Sequence, residues 1–125
     1  MHLPAVVAAA VSSFVLGGLW YSPLLFGKAW NRANGGVPPP GHPARVFGIS
    51  LLFCLAAAAG FAWLLGPAPA LPRALLMAAA CGGLVACCFG VNYQFSQRHP
   101  LLWLIDAGYH LLQFGLFALI LALWH

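Results

Sequence analysis

Charge is scarce in this sequence, and acidic side chains are scarcer still. Charged residues make up 5% of the 125 residues, against about 25% in an average soluble protein. A soluble fold of this size needs more charge to cover its surface, whereas 63% of these residues are hydrophobic. Because the length is sufficient for one domain, the composition predicts a single-domain integral membrane protein.

Several classes of functional site lack their usual residues. Asp106 is the only acid in the sequence, so two-carboxylate chemistry within one chain is excluded, and there is no nucleophile triad or phosphate-binding glycine loop. The basic residues form no stripe, which argues against nucleic-acid binding. The four cysteines lack CxxC spacing and are interpreted as small apolar helix residues. The sequence therefore predicts no enzymatic activity, no cofactor and no metal site.

Four long apolar segments predict an all-α bundle of four transmembrane helices, since about 20 apolar residues suffice to cross a bilayer. The expected helices cover residues 3–26, 46–65, 73–95 and 101–124, with a Pro/Gly-rich loop at 35–43, and residues 1–125 form one membrane domain. Between the first two helices, Lys28 and Arg32 flank Trp30 at a spacing that favours a short interfacial helical turn.

Small residues recur at four-residue spacing in three of these segments, a pattern that lets membrane helices approach closely. The stripes are Ala9, Ser13 and Gly17 in the first helix, Ala56 and Gly60 in the second, and Ala78, Gly82, Ala86 and Gly90 in the third. The third stripe is the longest, so the third helix is predicted to be the most buried.

The distribution of basic residues predicts the orientation in the membrane. Lys28, Arg32 and Arg45 lie in the first loop and Arg98 in the third, whereas Arg73 lies in the second. By the positive-inside rule, the first and third loops face the cytoplasm and both termini face outside.

Asp106 is the centre of the predicted functional site. Tyr109 and His110 follow it by three and four residues and therefore share its helical face. With the predicted orientation, two other helices end at a similar depth and add three candidate side chains: Trp20, Tyr21 and Asn92. Asp106 lies five residues after Leu101, or about 7–8 Å along the predicted helix. A charge costs ~2.5–3.5 kcal/mol at the centre of a membrane helix and somewhat less near an interface, so an acid retained within the membrane is a functional candidate.

Two interpretations of this cluster stay open. In the first, Asp106 and His110 handle protons or bind a polar ligand on a path for a proton, ion or small polar solute through an oligomer. In the second, the cluster is a hydrogen-bond network that joins helices in a structural or accessory subunit of a larger membrane complex. The expected partners are the lipid bilayer and either further copies of the chain or other membrane subunits.

Three motifs support a family resemblance. They are Gly18-Leu-Trp20-Tyr21-Ser22-Pro23-Leu-Leu-Phe26-Gly27-Lys28-Ala-Trp30, Asn92-Tyr93-x-Phe95 and Asp106-Ala-Gly108-Tyr109-His110. Together they resemble the DUF1761 family of small bacterial four-helix membrane proteins, over nearly the whole chain. The resemblance implies the four-helix architecture of a bacterial membrane protein, but no activity. The expected location is therefore the bacterial inner membrane, where the basic loops predict that both termini face outside. The chain departs from the family in the Gly35 to Pro43 loop, where Gly and Pro replace charged residues.

Overall fold

A computed structural model describes residues 2–125, and the regular secondary structure of that part of the chain consists of helices alone. It contains five helices: α1 (Leu3–Trp20), α2 (Gly27–Ala33), α3 (Pro43–Leu65), α4 (Leu71–Phe95) and α5 (Pro100–Leu123). The helices α1, α3, α4 and α5 are each long and apolar enough to cross a membrane. The predicted all-α architecture with four spanning helices is confirmed.

Proline marks the start of every long helix. Pro4, Pro43, Pro72 and Pro100 occupy the first or second helical position, where the missing N–H removes no intrahelical hydrogen bond. These prolines place the starts of α3, α4 and α5 slightly upstream of the predicted starts.

The first helix is shorter than predicted, because the chain turns after Trp20 rather than after Phe26. The Phe26 N–H donates to the Trp20 carbonyl at 3.0 Å, and the Gly27 N–H donates to the Ser22 carbonyl at 3.0 Å. Only glycine fits at the exit of this turn, since a Cβ on Gly27 would lie 2.3 Å from the carbonyl oxygen of Tyr21. The turn therefore reverses the chain before α2 begins.

The helix α2 packs against α5. Lys28 and Arg32 lie on it, with Lys28 exposed, while Trp30 is partly buried. The predicted helical turn is confirmed, and its tryptophan faces into the bundle.

The helices α1 and α5 form the centre of the bundle. One flank of α5 packs against α4 and another against α1, while α1 also packs against α3. The contact between α3 and α5 is small and includes the ring of Phe61 against Phe114 and Phe117. Nine residues of α5 are buried, compared with four of α4, so the prediction that the third long helix is the most buried is wrong.

The small-residue stripes differ in their surroundings. The α4 stripe is buried at its centre, where a Cβ on Gly82 would lie 3.2 Å from the Cα of Leu111. By contrast, Ala56 is exposed and Gly60 has no neighbour within 4 Å of an added Cβ. The close packing predicted for this pair on α3 is therefore wrong for the described chain.

An apolar core fills one half of the bundle, and a cavity occupies the other half. The core joins the beginnings of α1 and α4 to the ends of α3 and α5, and its members include Ala5, Ala9, Phe61, Leu65, Ala74, Ala78, Phe117 and Leu121. In the half next to α2, a space of about 790 Å³ lies between α1, α3 and α5.

Candidate functional site

Asp106 lies where the ends of α1 and α4 and the helix α2 meet α5. Its side chain is 8% exposed. Oδ1 accepts hydrogen bonds from the Tyr21 hydroxyl at 2.5 Å and the Trp30 indole Nε1 at 3.1 Å, and Oδ2 accepts one from the Tyr93 hydroxyl at 2.5 Å. These four residues are called the Asp106 junction. All three donors are neutral, so the polar contacts of the buried carboxyl group are hydrogen bonds rather than ion pairs.

Each donor of the Asp106 junction comes from a different element. Tyr21 lies in the turn after α1, Trp30 lies in α2 and Tyr93 lies in the last turn of α4. The turn between α1 and α2 brings the first two together, with their ring centroids 6.3 Å apart. One carboxylate thus connects three separate elements to α5.

Tyr21, which follows the last residue of α1, is held in its protonated form. Burial, and then its hydrogen bond to Asp106, raise the pKa of the Tyr21 phenol above its usual value. The hydroxyl therefore remains a donor to the carboxylate at physiological pH.

Arg98 supports the junction from its outer side. Its guanidinium carbon lies 5.4 Å from the centroid of the Tyr93 ring, and its Nη2 donates to Oδ1 of Asn34. A guanidinium over an aromatic face is attracted by the negative face of the ring. Arg98 thus links the end of α4 to the end of α2.

The structure brings Tyr21 to Asp106, as the predicted site requires, but it does not bring Asn92 there. The Asn92 side chain is exposed, and the next residue, Tyr93, reaches the carboxylate instead. Successive helix residues point about 100° apart, because a turn takes 3.6 residues. The motif that begins at Asn92 therefore contributes Tyr93, and not Asn92, to the site.

Trp20 packs against the backbone of α5 beside the junction. Its Nε1 donates to the Ile105 carbonyl at 2.8 Å. Its ring covers Gly108, where an added Cβ would lie 3.0 Å from Cζ2 of the indole. Trp20 therefore fixes the approach of α1 to α5 and makes no hydrogen bond to the carboxylate.

Tyr109 and His110 direct their polar atoms to a second group of residues. The Tyr109 hydroxyl donates to the Ser13 carbonyl at 2.9 Å, and His110 Nδ1 lies 2.9 Å from Gln113 Oε1. Gln113 Nε2 lies 3.4 Å from both Ser13 Oγ and the Tyr109 hydroxyl, and 3.8 Å from Cys54 Sγ. These five residues are called the Gln113 cluster.

The hydrogen bonds around Gln113 determine which way its amide points. Tyr109 donates to the Ser13 carbonyl and the Ser13 hydroxyl donates to the Ala10 carbonyl, so both hydroxyl oxygens are free to accept from Gln113 Nε2. The Gln113 oxygen then faces His110 and accepts from its Nδ1–H. In the neutral imidazole Nε2 is therefore an acceptor, and it has no hydrogen-bond partner within residues 2–125.

The Gln113 cluster forms one wall of the cavity between α1, α3 and α5. The volume of about 790 Å³ falls within the roughly 300–1,000 Å³ typical of small-molecule sites. Six aromatic side chains line it: Phe14, Tyr21, Phe47, Phe53, Tyr109 and Phe114. Ser50, His110 and Gln113 add polar groups, and no charged side chain of the described chain lines it. Tyr21 belongs both to this cavity and to the Asp106 junction.

Metal ligands are sparse in the same region. Across residues 2–125, no group of three or more His, Cys, Asp or Glu side chains could hold a metal ion. Cys54 is buried in the Gln113 cluster, whereas Cys87 and Cys88 are exposed on α4.

Five residues of the site are not among those predicted from the sequence: Trp30, Tyr93, Ser13, Cys54 and Gln113. Trp30 and Tyr93 lie within the motifs that carry the family resemblance, but no spacing rule connects them to a distant acid. Gln113 lies three residues after His110 and four after Tyr109. That helical spacing is a signal that places it on the same face.

The residues of the Asp106 junction and of the Gln113 cluster all lie in the part of the chain that matches a known protein family. Residues 4–122 match the family described as "Protein of unknown function (DUF1761)". The chain belongs to the DUF1761 family. The match covers nearly the whole DUF1761 chain, including all three motifs, and the resemblance inferred from them is confirmed. No curated protein and no solved structure matches it significantly.

Proposed function

We propose that this DUF1761 protein is a non-enzymatic membrane protein that moves a small solute through an oligomer, and that the solute binds in the cavity beside the Gln113 cluster. The observation that carries the proposal is a cavity of about 790 Å³ between α1, α3 and α5, open on the side of the exposed Phe47 and Phe53. Four polar side chains converge on it: Tyr21, Tyr109, His110 and Gln113. A mostly apolar concavity with a few convergent polar groups is the usual form of a small-molecule site.

The Asp106 junction serves this site as a positioning element. Both carboxylate oxygens of Asp106 already accept hydrogen bonds, and one of the donors, Tyr21, also lines the cavity. A solute in the cavity therefore contacts the acid indirectly, through the ring that the acid holds in place. Loss of the carboxylate would release Tyr21 and change the shape of the cavity.

The oligomer and the orientation are part of the same proposal. Four helices are few to enclose a pathway, and the groove between α3 and α4 leaves Ala56 and Gly60 open to a neighbouring helix. The basic loops around α2 and Arg98 favour a cytoplasmic position for the junction, with both termini outside the bacterial inner membrane.

Flux into proteoliposomes tests the transport proposal. Proton entry is followed with a trapped pH-sensitive dye and glycerol entry by light scattering, each against protein-free liposomes. We expect flux of one of these probes to exceed the protein-free rate, to fall at least fivefold in Asp106→Asn and in His110→Phe, and to persist in Asn92→Ala, whose side chain is exposed. Flux that is absent for both probes, or equal in all variants, contradicts the proposal.

A second candidate function is that of an accessory subunit in a larger membrane complex. The open α3–α4 groove supports it, because exposed small residues suit close packing against a partner helix. Purification from native membranes in mild detergent separates the two functions. A stoichiometric second polypeptide supports the accessory role, and a species free of other chains contradicts it.

A further inference from the structure

We infer that the cavity binds a neutral molecule with an apolar body and one hydrogen-bond donor, an alcohol or a phenol, whose hydroxyl donates to His110 Nε2. This inference rests on the proposed function in one respect, namely that the cavity is the ligand site. It adds the chemical class of the ligand and the atom that recognises it.

The partly buried polar groups Tyr21, Tyr109 and His110 have already used their hydrogens. The exposed Ser50 hydroxyl also lines the cavity and has no hydrogen-bond partner within residues 2–125. Tyr21 donates to Asp106, and Tyr109 donates to the Ser13 carbonyl. His110 Nδ1 donates to Gln113, whose own Nε2 faces the Gln113 cluster. What Tyr21, Tyr109 and His110 still offer is acceptor capacity, so a ligand that matches them must bring a donor. The oxygen of a ligand hydroxyl can in turn accept from Ser50.

His110 Nε2 is the strongest acceptor of the cavity that is still free. It has no hydrogen-bond partner in the described range, and it is not among the buried polar atoms that lack one. The atom is therefore accessible, on a side chain that lines the cavity. An imidazole nitrogen with a free lone pair is satisfied by a hydroxyl hydrogen.

The walls of the cavity provide no counter-charge for a charged ligand. No Asp, Glu, Lys or Arg side chain of the described chain lines the cavity. Both oxygens of the nearby Asp106 are bonded to the junction donors, with Tyr21 between the carboxylate and the cavity. An ion placed in an apolar site without a counter-charge carries a large desolvation cost, so a neutral ligand is favoured.

The apolar walls of the cavity favour an apolar body for the ligand. Six aromatic rings face the space, together with aliphatic side chains such as Val46 and Val85. Such walls bind apolar surface and aromatic rings well. An alkyl or aryl body carrying one hydroxyl therefore fits both the walls and the acceptor.

Three probes of similar size test the inference, with the intact protein in lipid nanodiscs. They are 4-octylphenol, 4-octylanisole, which has the same body without the donor, and octyltrimethylammonium, which is a cation without a donor. Bound probe is measured against protein-free nanodiscs to subtract partition into lipid. We expect saturable binding of the phenol, about tenfold tighter than that of the anisole, which corresponds to about 1.4 kcal/mol. Equal affinity for phenol and anisole, or tighter binding of the cation, overturns the inference.

Two variants and one control locate the binding. His110→Phe keeps a ring but removes the acceptor, and should abolish the preference for phenol over anisole. Gly18 lines the cavity with open space beside it, so Gly18→Leu should weaken both probes at least fivefold. Gly48 also has open space but does not line the cavity, so Gly48→Leu should bind as the unmodified protein does. A phenol preference that survives in His110→Phe, or binding unchanged in Gly18→Leu, overturns the inference.

The outcomes separate this inference from the transport proposal. Phenol-selective binding without flux in liposomes leaves the ligand class intact and removes the transport function. Flux that depends on His110, together with equal binding of all three probes, removes the ligand class and leaves transport intact.

Discussion

The indole nitrogen of Trp30 lies 3.1 Å from Oδ1 of Asp106, although 76 residues separate the two in the chain. Tyr21 donates to the same oxygen and Tyr93 to the other. Hydrogen bonds to charged groups each contribute about 1.5–3 kcal/mol to stability, so the Asp106 junction should contribute several kcal/mol. Each of its three donors lies in a different part of the chain, so single substitutions test the hydrogen bonds one at a time.

Replacing Asp106 with Asn should lower the free energy of unfolding by about 2–4 kcal/mol, because the amide keeps one acceptor oxygen and turns an N–H₂ group toward a donor. Reversible unfolding in mixed micelles with increasing SDS measures the change. Asn92→Ala provides a control at an exposed site, where a change within about 0.5 kcal/mol is expected. Equal stability of the Asp106→Asn variant and the unmodified protein would show that the junction is energetically neutral.

Tyr21→Phe and Tyr93→Phe should each cost about 1.5–3 kcal/mol, since each removes one hydrogen bond to the carboxylate. The two substitutions act on one acceptor, so their effects should not add, with a coupling of about 0.5–3 kcal/mol. A double-mutant cycle in the same unfolding assay measures that coupling. Strict additivity would mean that the two hydroxyls do not share the carboxylate.

Gly27→Ala should destabilise the protein by about 1–3 kcal/mol, because the new methyl group meets backbone rather than a flexible side chain. Displacement of α2 should also shift the fluorescence of Trp30 toward longer wavelength, which a variant retaining Trp30 as its only tryptophan would report. Gly48→Ala is the matched control, since its Cβ meets nothing within 4 Å and alanine favours a helix by about 1 kcal/mol. A Gly27→Ala variant as stable as the Gly48→Ala variant would contradict the tight turn.

Cysteine labelling should place the loop between α2 and α3 in the cytoplasm. In a background without the native cysteines, Val37→Cys should react with a membrane-impermeant maleimide only after permeabilisation, because the basic residues around this loop are retained inside. Ala70→Cys, in the loop before α4, should react in intact cells. The opposite pattern would reverse the predicted orientation.

Much of the helical architecture follows from the sequence alone, because apolar length and prolines at helix starts are local signals. The turn after Trp20 does not, since Leu24, Leu25 and Phe26 continue the apolar run beyond the point where the helix ends. Hydropathy cannot distinguish a longer helix from a helix followed by an apolar turn. The position of α2, and of Trp30 with it, depends on that turn.

The candidate site was only partly predictable for a related reason. Helical spacing predicts that Tyr109 and His110 share the helix face of Asp106, but it does not predict which residue each side chain contacts. His110 bonds to Gln113, and the carboxylate bonds to Trp30 and Tyr93, because these contacts depend on how the helices are rotated against one another. The sequence does not predict the cavity, because the cavity arises where α3 and α5 are separated, in the part of α3 that precedes Phe61.

The order of the junction residues along the chain has a consequence for biosynthesis. Tyr21, Trp30 and Tyr93 all precede Asp106, so the ribosome delivers three donors before it delivers the acid. The cost of inserting a charge is ~2.5–3.5 kcal/mol at a helix centre and smaller for an acid near the start of its helix, and donors that are synthesised earlier can offset it. The helix α5 enters as the segment that closes the bundle, and a nascent chain halted before Pro100 carries three donors that still lack their acceptor.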